Sequence, residues 1–316
     1  MTQTSRPIVV LAGGLSHERE VSLASGRRVT AALRERGRQV IEADVGAGLI
    51  GDLTALNQPV VLSVLHGGTG EDGALREVFD LIGVPYVGST APSCRLTYDK
   101  ALATPVVARS GVEVPRRVVL PHDMFRELGA AAIVEHIVNQ LGLPLFVKPA
   151  KSGSALGTTR VETAAELPQA MVKAFNLSHV AVVEEFITGT EVTVTITDTG
   201  AGPKVYAPVE IRPDSGAYDY EARYTPGATQ FICPAALDSA VIERCQDTAL
   251  RVWQALDQRD YGRVDLIVND QGVPVFLEGN VSPGMTETST VPLAIEAAGE
   301  SLADVLVQLV DLAAQR

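Results

Sequence analysis

The chain has 316 residues, 46% apolar and 20% charged, with a net charge of −12. That length exceeds what one hydrophobic core usually organises, so two or three domains are expected, and the acidic balance argues against a nucleic-acid binder, which would carry a basic patch. No segment reaches the roughly 18 uninterrupted apolar residues of a membrane helix, so no membrane partner is expected.

Residues 1–7 lack the apolar core of a signal peptide, which makes the cytosol the default compartment. Three cysteines, Cys94, Cys233 and Cys245, are odd in number and without CxxC spacing, so buried free thiols are expected rather than a disulfide framework or zinc site.

In chain order, residues 1–101 alternate strand and helix. Strands are predicted over 8–12, 39–43, 60–65 and 84–87 and helices over 20–36 and 73–82, which is a small parallel, Rossmann-like α/β unit with ligands expected at the strand C-terminal ends. A second unit, 102–184, carries helices over 124–142 and 164–175 and strands over 145–148, 158–161 and 180–184. The third, 185–316, opens with alternating residues over 191–196. It closes on Ser301 and Asp304, read as a capping box, before Val305, Leu306, Leu309, Val310 and Ala313 at core-packing helical spacing.

Within the third unit, Gly262-Arg263-Val264-Asp265-Leu266-Ile267-Val268 and Val275-Phe276-Leu277-Glu278-Gly279-Asn280 read as two strands around an Asn-Asp-Gln-Gly turn. An even loop opposes Arg263 to Glu278 and Asp265 to Phe276, and alternation then sets Arg263, Asp265, Glu278 and Asn280 on one face. A three-residue loop would shift the register by one and split that set. Carboxylate and amide oxygens gathered in this way suit Mg²⁺; the alternatives are a solvated face or an Arg–Glu cross-strand pair.

Three loops carry further chemistry. The strand ending in Lys148-Pro149 runs into Ala150-Lys151-Ser152-Gly153-Ser154-Ala155-Leu156-Gly157, where small residues would let backbone N–H groups close over phosphate, or would simply make a turn; it is not a Walker loop. His66-Gly67-Gly68-Thr69-Gly70-Glu71-Asp72-Gly73 follows a strand, and its four glycines suit close approach of backbone to a ligand. The loop after Asn280, Val281-Ser282-Pro283-Gly284-Met285-Thr286, can aim N–H groups at the same substrate.

Taken together, these segments resemble the D-alanine–D-alanine ligases of the ATP-grasp superfamily. The resemblance runs through 13–22, the 66–73 octet, Asp99-Lys100, Val147-Lys148-Pro149, 218–224, 262–265 and 278–286, in order along nearly the whole chain. It implies a three-domain ATP-grasp fold (1–101, 102–184 and 185–316) and an ATP-dependent ligation of two D-amino acids, as in peptidoglycan precursor synthesis, by a cytoplasmic homodimer formed through the first domain. A sibling ligase using D-Ser, or one cyclising a D-serine derivative in antibiotic biosynthesis, is the alternative.

By the same resemblance, Asp265, Glu278 and Asn280 hold two Mg²⁺ ions, with Mn²⁺ as a substitute, on the phosphates of ATP. Lys100, Lys148 and Lys151 bind phosphate, Ser152, Gly153 and Ser154 cover it, Arg223 joins the nucleotide set, and Glu184, Glu185, Ile187 and Glu191 line the adenine and ribose site. Glu18 anchors the first substrate's ammonium, with His66 beside the substrate, and Glu71, Ser154 and Tyr224 close the site, Tyr224 on a mobile loop. Arg263 and the N–H of Gly284 form an oxyanion hole, and Ser289 and Thr290 meet the second substrate. The family usually has Lys in place of Arg223, Ala in place of Gly279 and Leu in place of Thr290, so the acceptor's identity rests on this last position.

Overall fold

The computed structural model describes residues 6–214, 225 and 227–316. Its first sheet is built from β1 (Ile8–Leu11), β2 (Val40–Ala43), β3 (Val60–Ser63) and β4 (Tyr86–Val87), all parallel in the order β2-β1-β3-β4. The crossovers are α1 (Arg19–Glu35), α2 (Leu49–Ala55) and α3 (Ala74–Leu81). Both faces of β1 are buried, as a parallel strand requires. Ile8 and Val10 pack with Val29 and Leu33 of α1, while Val9 and Leu11 pack with Leu49 and Leu53 of α2 and with Phe79 of α3.

Two short helices follow, α4 (Ala91–Tyr98) and α5 (Lys100–Arg109). Thr90 and Asp99 cap them, each side-chain oxygen accepting an N–H of the first turn. The second sheet, in the order β5-β8-β6-β7, is antiparallel: β5 (Arg117–Pro121), β6 (Leu145–Pro149), β7 (Thr159–Val161) and β8 (Val180–Glu185). One face is covered by α6 (His122–Leu128), α7 (Ala130–Leu141) and α8 (Leu167–Phe175). A single helix is expected over 124–142. It is broken instead at Gly129, whose φ of 87° leaves the right-handed helical region.

The third sheet has the order β12-β11-β9-β13-β14, with β10 beside β9. Its strands are β9 (Thr190–Thr197), β10 (Lys204–Val205), β11 (Val209–Pro213), β12 (Thr229–Ile232), β13 (Tyr261–Val268) and β14 (Pro274–Asn280), with helices α9 (Ser239–Ala255), α10 (Thr290–Ala297) and α11 (Leu302–Ala313). Val192, Val194 and Ile196 of β9 pack with Val252 and Trp253 of α9, and Ala103 and Val107 of α5 join that core. Thr193 and Thr195, also buried, stand on the opposite face of the strand.

The β13–β14 hairpin departs from the even-loop register. Asn269 N–H donates to the Val273 carbonyl, so three residues form the loop, and Val268 opposes Pro274. Such a loop by itself would split the four polar residues between two faces. A bulge at Leu277 adds back one residue: Leu266 faces Phe276, but Asp265 faces Glu278 and Arg263 faces Asn280. The expected one-faced set therefore forms, with different partners from those the even loop implies.

The predicted capping box before α11 does not form. Ser301 stands at the N-cap but makes no side-chain cap bond; its hydroxyl accepts from Arg36, whose Nε meets Asp304 at 2.6 Å. The apolar stripe of α11 does pack as core, but against α1: Leu302, Val305, Leu306 and Leu309 share one cluster with Val29 and Leu33. Cys94 and Cys245 are buried and all three cysteines are free. Among the described residues no helix is long and apolar enough to cross a membrane.

Asp260 ties the last residues to the first sheet. Fully buried, it accepts from Gly88 N–H at 2.7 Å and from Arg316 Nη1 at 2.8 Å, and Arg316 Nη2 holds its other oxygen. Asp260→Asn keeps the shape and loses the charge-assisted bonds, so urea unfolding should show a loss of about 2 kcal/mol. An unchanged midpoint would show that the clamp contributes nothing to stability.

Candidate active site

The polar face of the third sheet, the C-terminal ends of the first and the 150–157 loop of the second enclose a cavity of about 550 Å³. From the hairpin come Arg263, Glu278 and Asn280; from the loop after it, Gly284 and Ser289, and from the start of α10, Thr290. The first sheet contributes Glu18, His66 and Glu71, and the connection to the second contributes Lys100 with Ser152, Gly153 and Ser154.

Glu18 precedes α1 and reaches its place because neighbouring residues have no side chain. A Cβ on Gly67 would come to 2.5 Å from Glu18 Oε2, and one on Gly153 to 2.6 Å. Gly67 also has a φ of 69°, which favours glycine. Ser154, itself at a φ of 50°, donates its hydroxyl to Glu18 Oε1. Glycines of the octet and of the second loop thus meet around one carboxylate.

Arg263 donates to Asp265 through Nε at 2.7 Å and Nη2 at 2.8 Å, a bidentate fork that fixes the guanidinium plane. Lys100 Nζ meets Glu278 Oε2 at 3.0 Å and donates to the Ser152 carbonyl at 2.9 Å. Asn280 Oδ1 accepts from Ser282 N–H at 2.9 Å. Thr193 opposes Asp265 and Thr195 opposes Arg263, so both share this face; their buried hydroxyls have no partner among the described residues. Glu191, opposite Ile267, stands on the same face. Carboxylate, amide and hydroxyl oxygens on one buried face are a donor set that suits a hard divalent cation.

His66 is a buried connector. Its Nδ1 lies 2.9 Å from the Ser282 carbonyl, which can only accept, so Nδ1 carries the proton. Burial holds the ring below the usual histidine range, so Nε2 is a bare acceptor for the Ser25 hydroxyl at 3.1 Å, and Ser25 Oγ accepts Met285 N–H. Helix α1, the end of β3 and the 281–286 loop are joined by this chain of bonds.

Ser25 was not among the predicted site residues. Its signal is Ser22 and Ser25 on the helix face that also carries Val29 and Leu33. Small polar residues among core positions there bond to loops: Ser22 accepts from Gly13 N–H and donates to the Val64 carbonyl. Tyr98, which lines the cavity and accepts from Gly68 N–H at 3.2 Å, carried no signal at all.

Among the described residues, Lys148, Lys151, Glu184, Glu185 and Ile187 are not part of the cavity lining. Lys148 and Glu184, on one face of β6 and β8, form a buried ion pair at 2.7 Å. Lys151 meets Asp99 at 3.4 Å, and Glu185 takes Arg116 Nε at 2.7 Å and its backbone N–H at 2.9 Å. Ile187 lies in the short connection from β8 to β9. Arg223 and Tyr224 lie outside the described residues. At Gly279, a Cβ would stand 3.0 Å from Leu256 and 3.1 Å from Gln258 and Thr97, so the neighbours already fill the space of the family's usual alanine.

Glu71 accepts Gly67 N–H at 3.0 Å, yet burial, with Glu18 nearby, pushes its carboxyl up to about 8. A carboxyl raised in the folded state binds a proton that the unfolded chain releases, so its contribution to stability falls as pH rises from about 4.5 toward 8. Glu71→Gln removes that dependence. The melting temperature of the variant minus that of the native chain should therefore climb between pH 5 and pH 8 and level off above; a flat difference would show that Glu71 is ionised throughout.

Residues 106–311 match the family model described as D-ala D-ala ligase C-terminus. The chain is 39% identical to a D-alanine–D-alanine ligase of Fervidobacterium nodosum, over 95% of this chain and 96% of that one. It is 37% identical to one of Bordetella avium, over 98% and 95%. Among solved structures, it resembles the VanG D-Ala:D-Ser ligase of Enterococcus faecalis (TM-score 0.84, 29% identity, 98% and 99% covered). It also resembles the ATP complex of the Bacillus anthracis D-alanine–D-alanine ligase (TM-score 0.82, 28% identity, 98% of each chain).

Proposed function

Since this chain belongs to the D-alanine–D-alanine ligase family of ATP-dependent, C–N bond-forming enzymes, we propose that it joins two D-alanines into D-alanyl-D-alanine for peptidoglycan precursor synthesis. The observation that carries the reading is the convergence on one cavity of the Glu18 carboxylate, the Arg263 guanidinium and the oxygen donors of β14. In this reading 1–101, 102–184 and 185–316 act as three domains of a cytoplasmic homodimer.

The donor D-alanine's ammonium pairs with Glu18, which turns its carboxylate toward the phosphates. That carboxylate oxygen bonds to the γ-phosphorus of ATP, the bond to the β-phosphate oxygen breaks, and ADP carries off the electron pair. Lys100, Lys148, Lys151 and the 152–154 backbone offset the phosphate charge, while Glu184, Glu185, Ile187, Glu191 and Arg223 hold the nucleoside end. Asp265, Glu278 and Asn280 would hold two Mg²⁺ ions, or Mn²⁺, which supply Lewis-acid neutralisation of the phosphate oxygens. The acceptor's deprotonated amine then attacks the acyl carbon. Arg263 and Gly284 N–H donate to the developing oxyanion, at about 3 kcal/mol for each such donor, and phosphate leaves, carrying off the surplus proton of the attacking nitrogen, as the peptide bond forms. Ser154, Glu71 and Tyr224 close the cavity over the reaction.

Mass spectrometry after incubation with D-alanine, ATP and Mg²⁺ should find the dipeptide, and Glu278→Gln should abolish it, because the amide removes a charged oxygen while leaving the strand packed. Absence of dipeptide from the native chain would overturn the activity, and near-normal turnover by the variant would overturn the metal assignment.

Thr290 favours a second reading, in which D-serine is also an acceptor. Its side chain lines the cavity, is buried, and its hydroxyl has no partner among the described residues. An acceptor hydroxyl would satisfy it, and the loss of the family's usual leucine leaves room for one. A methylene-sized change in a pocket is worth about 1–3 kcal/mol, or roughly 10- to 200-fold. D-Serine should therefore compete with D-alanine as second substrate, and Thr290→Leu should shift the ratio of kcat/KM for the two acceptors toward D-alanine by at least about tenfold. An unchanged ratio would remove Thr290 from the acceptor pocket.

A further inference from the structure

At the junction of β5 with α6 and just before β8, His122, Asp123 and His179 bring three potential ligand atoms within 4.8 Å of one another. None of the three lines the active-site cavity. The ladder puts them together: Pro121 of β5 pairs with Val180 of β8, and His122 N–H donates to the His179 carbonyl at 3.0 Å. The two imidazoles are thereby held edge to face with centroids 4.4 Å apart, and the Phe175 ring packs on His122 from the other side.

Both imidazoles meet the Asp123 carboxylate, one at each oxygen. His122 Nδ1 lies 3.3 Å from Asp123 Oδ1, and His179 Nε2 lies 3.1 Å from Asp123 Oδ2. An ion with tetrahedral bonds of about 2.0–2.1 Å sets its ligand atoms roughly 3.3 Å apart. Two neutral imidazoles and one carboxylate are donors of borderline softness, which select Zn²⁺ and its neighbours over Mg²⁺ or Ca²⁺. They bring one negative charge to a divalent ion. Arg126 Nη2, 3.2 Å from Asp123 Oδ1, orients the carboxylate, whose Oδ2 faces His179. The side chains of His122, Asp123 and His179 are 45%, 33% and 63% exposed, so water can complete the sphere.

We propose that His122, Asp123 and His179 form a transition-metal site that takes Zn²⁺ with three protein ligands and solvent, pinning the β5–α6 junction to the start of β8. The ion would cross-link segments 56 residues apart in sequence, and so would stabilise the second sheet against local opening. Nothing in the ligase reaction requires it, so the site and the catalytic metals are separable.

The test uses tag-free full-length chain, stripped with chelator, and Zn²⁺ alone as the probe. Isothermal titration of the native chain should show one more Zn²⁺ bound than in His179→Gln or His122→Gln, with the affinity of that component reduced at least tenfold in either. Glu278→Gln, which alters only the cleft, should keep it. Substitution with Co²⁺ should give visible absorption bands that both histidine variants lose. Because these side chains are largely exposed, the variants should match the native circular dichroism and metal-free melting temperature, and Zn²⁺ should raise the melting temperature of the native chain alone. Equal Zn²⁺ stoichiometry and affinity in the native chain and His179→Gln, or a Zn²⁺ response unaffected by His122→Gln, would overturn the proposal.

Discussion

Charge pairing in a partly buried cleft is the constraint on which the rest of this structure depends. The cavity draws Glu18 and Glu71 from the first unit, Lys100 from α5, and Arg263 and Glu278 from the third sheet into one place, with Asp265 behind them. An isolated ion there would be expensive, and each arrangement offsets that cost locally: Arg263 with Asp265, Lys100 with Glu278, and Lys148 with Glu184 further along. Glu71 takes the other route and keeps its proton. Lys100 and Glu278 come from separate segments, so α5 and the third sheet must hold a defined relation for that pair to form.

That relation is set by buried hydrogen bonds as much as by apolar packing. The line from Met285 N–H through Ser25 and His66 to the Ser282 carbonyl satisfies four polar groups that would each be costly unpaired, and in doing so fixes the loop after β14 against α1. The last helix completes the tie, packing on α1 with Arg36–Asp304 at its margin, and Arg28–Glu296 joins α1 to α10. The loop that carries Gly284 and the helix that Glu18 precedes are therefore held as one unit, although more than 200 residues separate their bonded atoms.

The β13–β14 hairpin shows how a small backbone irregularity decides a site. Alternation on a regular ladder would have sent Glu278 away from Asp265 once the loop contained three residues; the extra residue at Leu277 reverses that outcome. On the neighbouring strand β9 the same alternation is undisturbed, with Val192, Val194 and Ile196 on the core face and Glu191, Thr193 and Thr195 on the face of Arg263 and Asp265. The polar face of the sheet is therefore continuous across β9, β13 and β14.

From sequence alone, the fold class, the family and the polar set Arg263, Asp265, Glu278 and Asn280 were legible, because ordered motifs, strand periodicity and glycine-rich strand ends are local signals. Thirteen predicted residues from Glu18 to Thr290 line one cavity. What local signals could not carry was anything set by distant partners. The hairpin register depended on a bulge with no sequence mark, and Ser301 and Asp304 formed ion-pair and hydrogen-bond contacts with Arg36 instead of a capping box. The break at Gly129, the short α4 and α5, and the role of Ser25 were decided the same way. Propensity and period act over a few residues, whereas the partner that satisfies a buried hydroxyl, carboxylate or ring nitrogen is chosen by the packing of the whole chain.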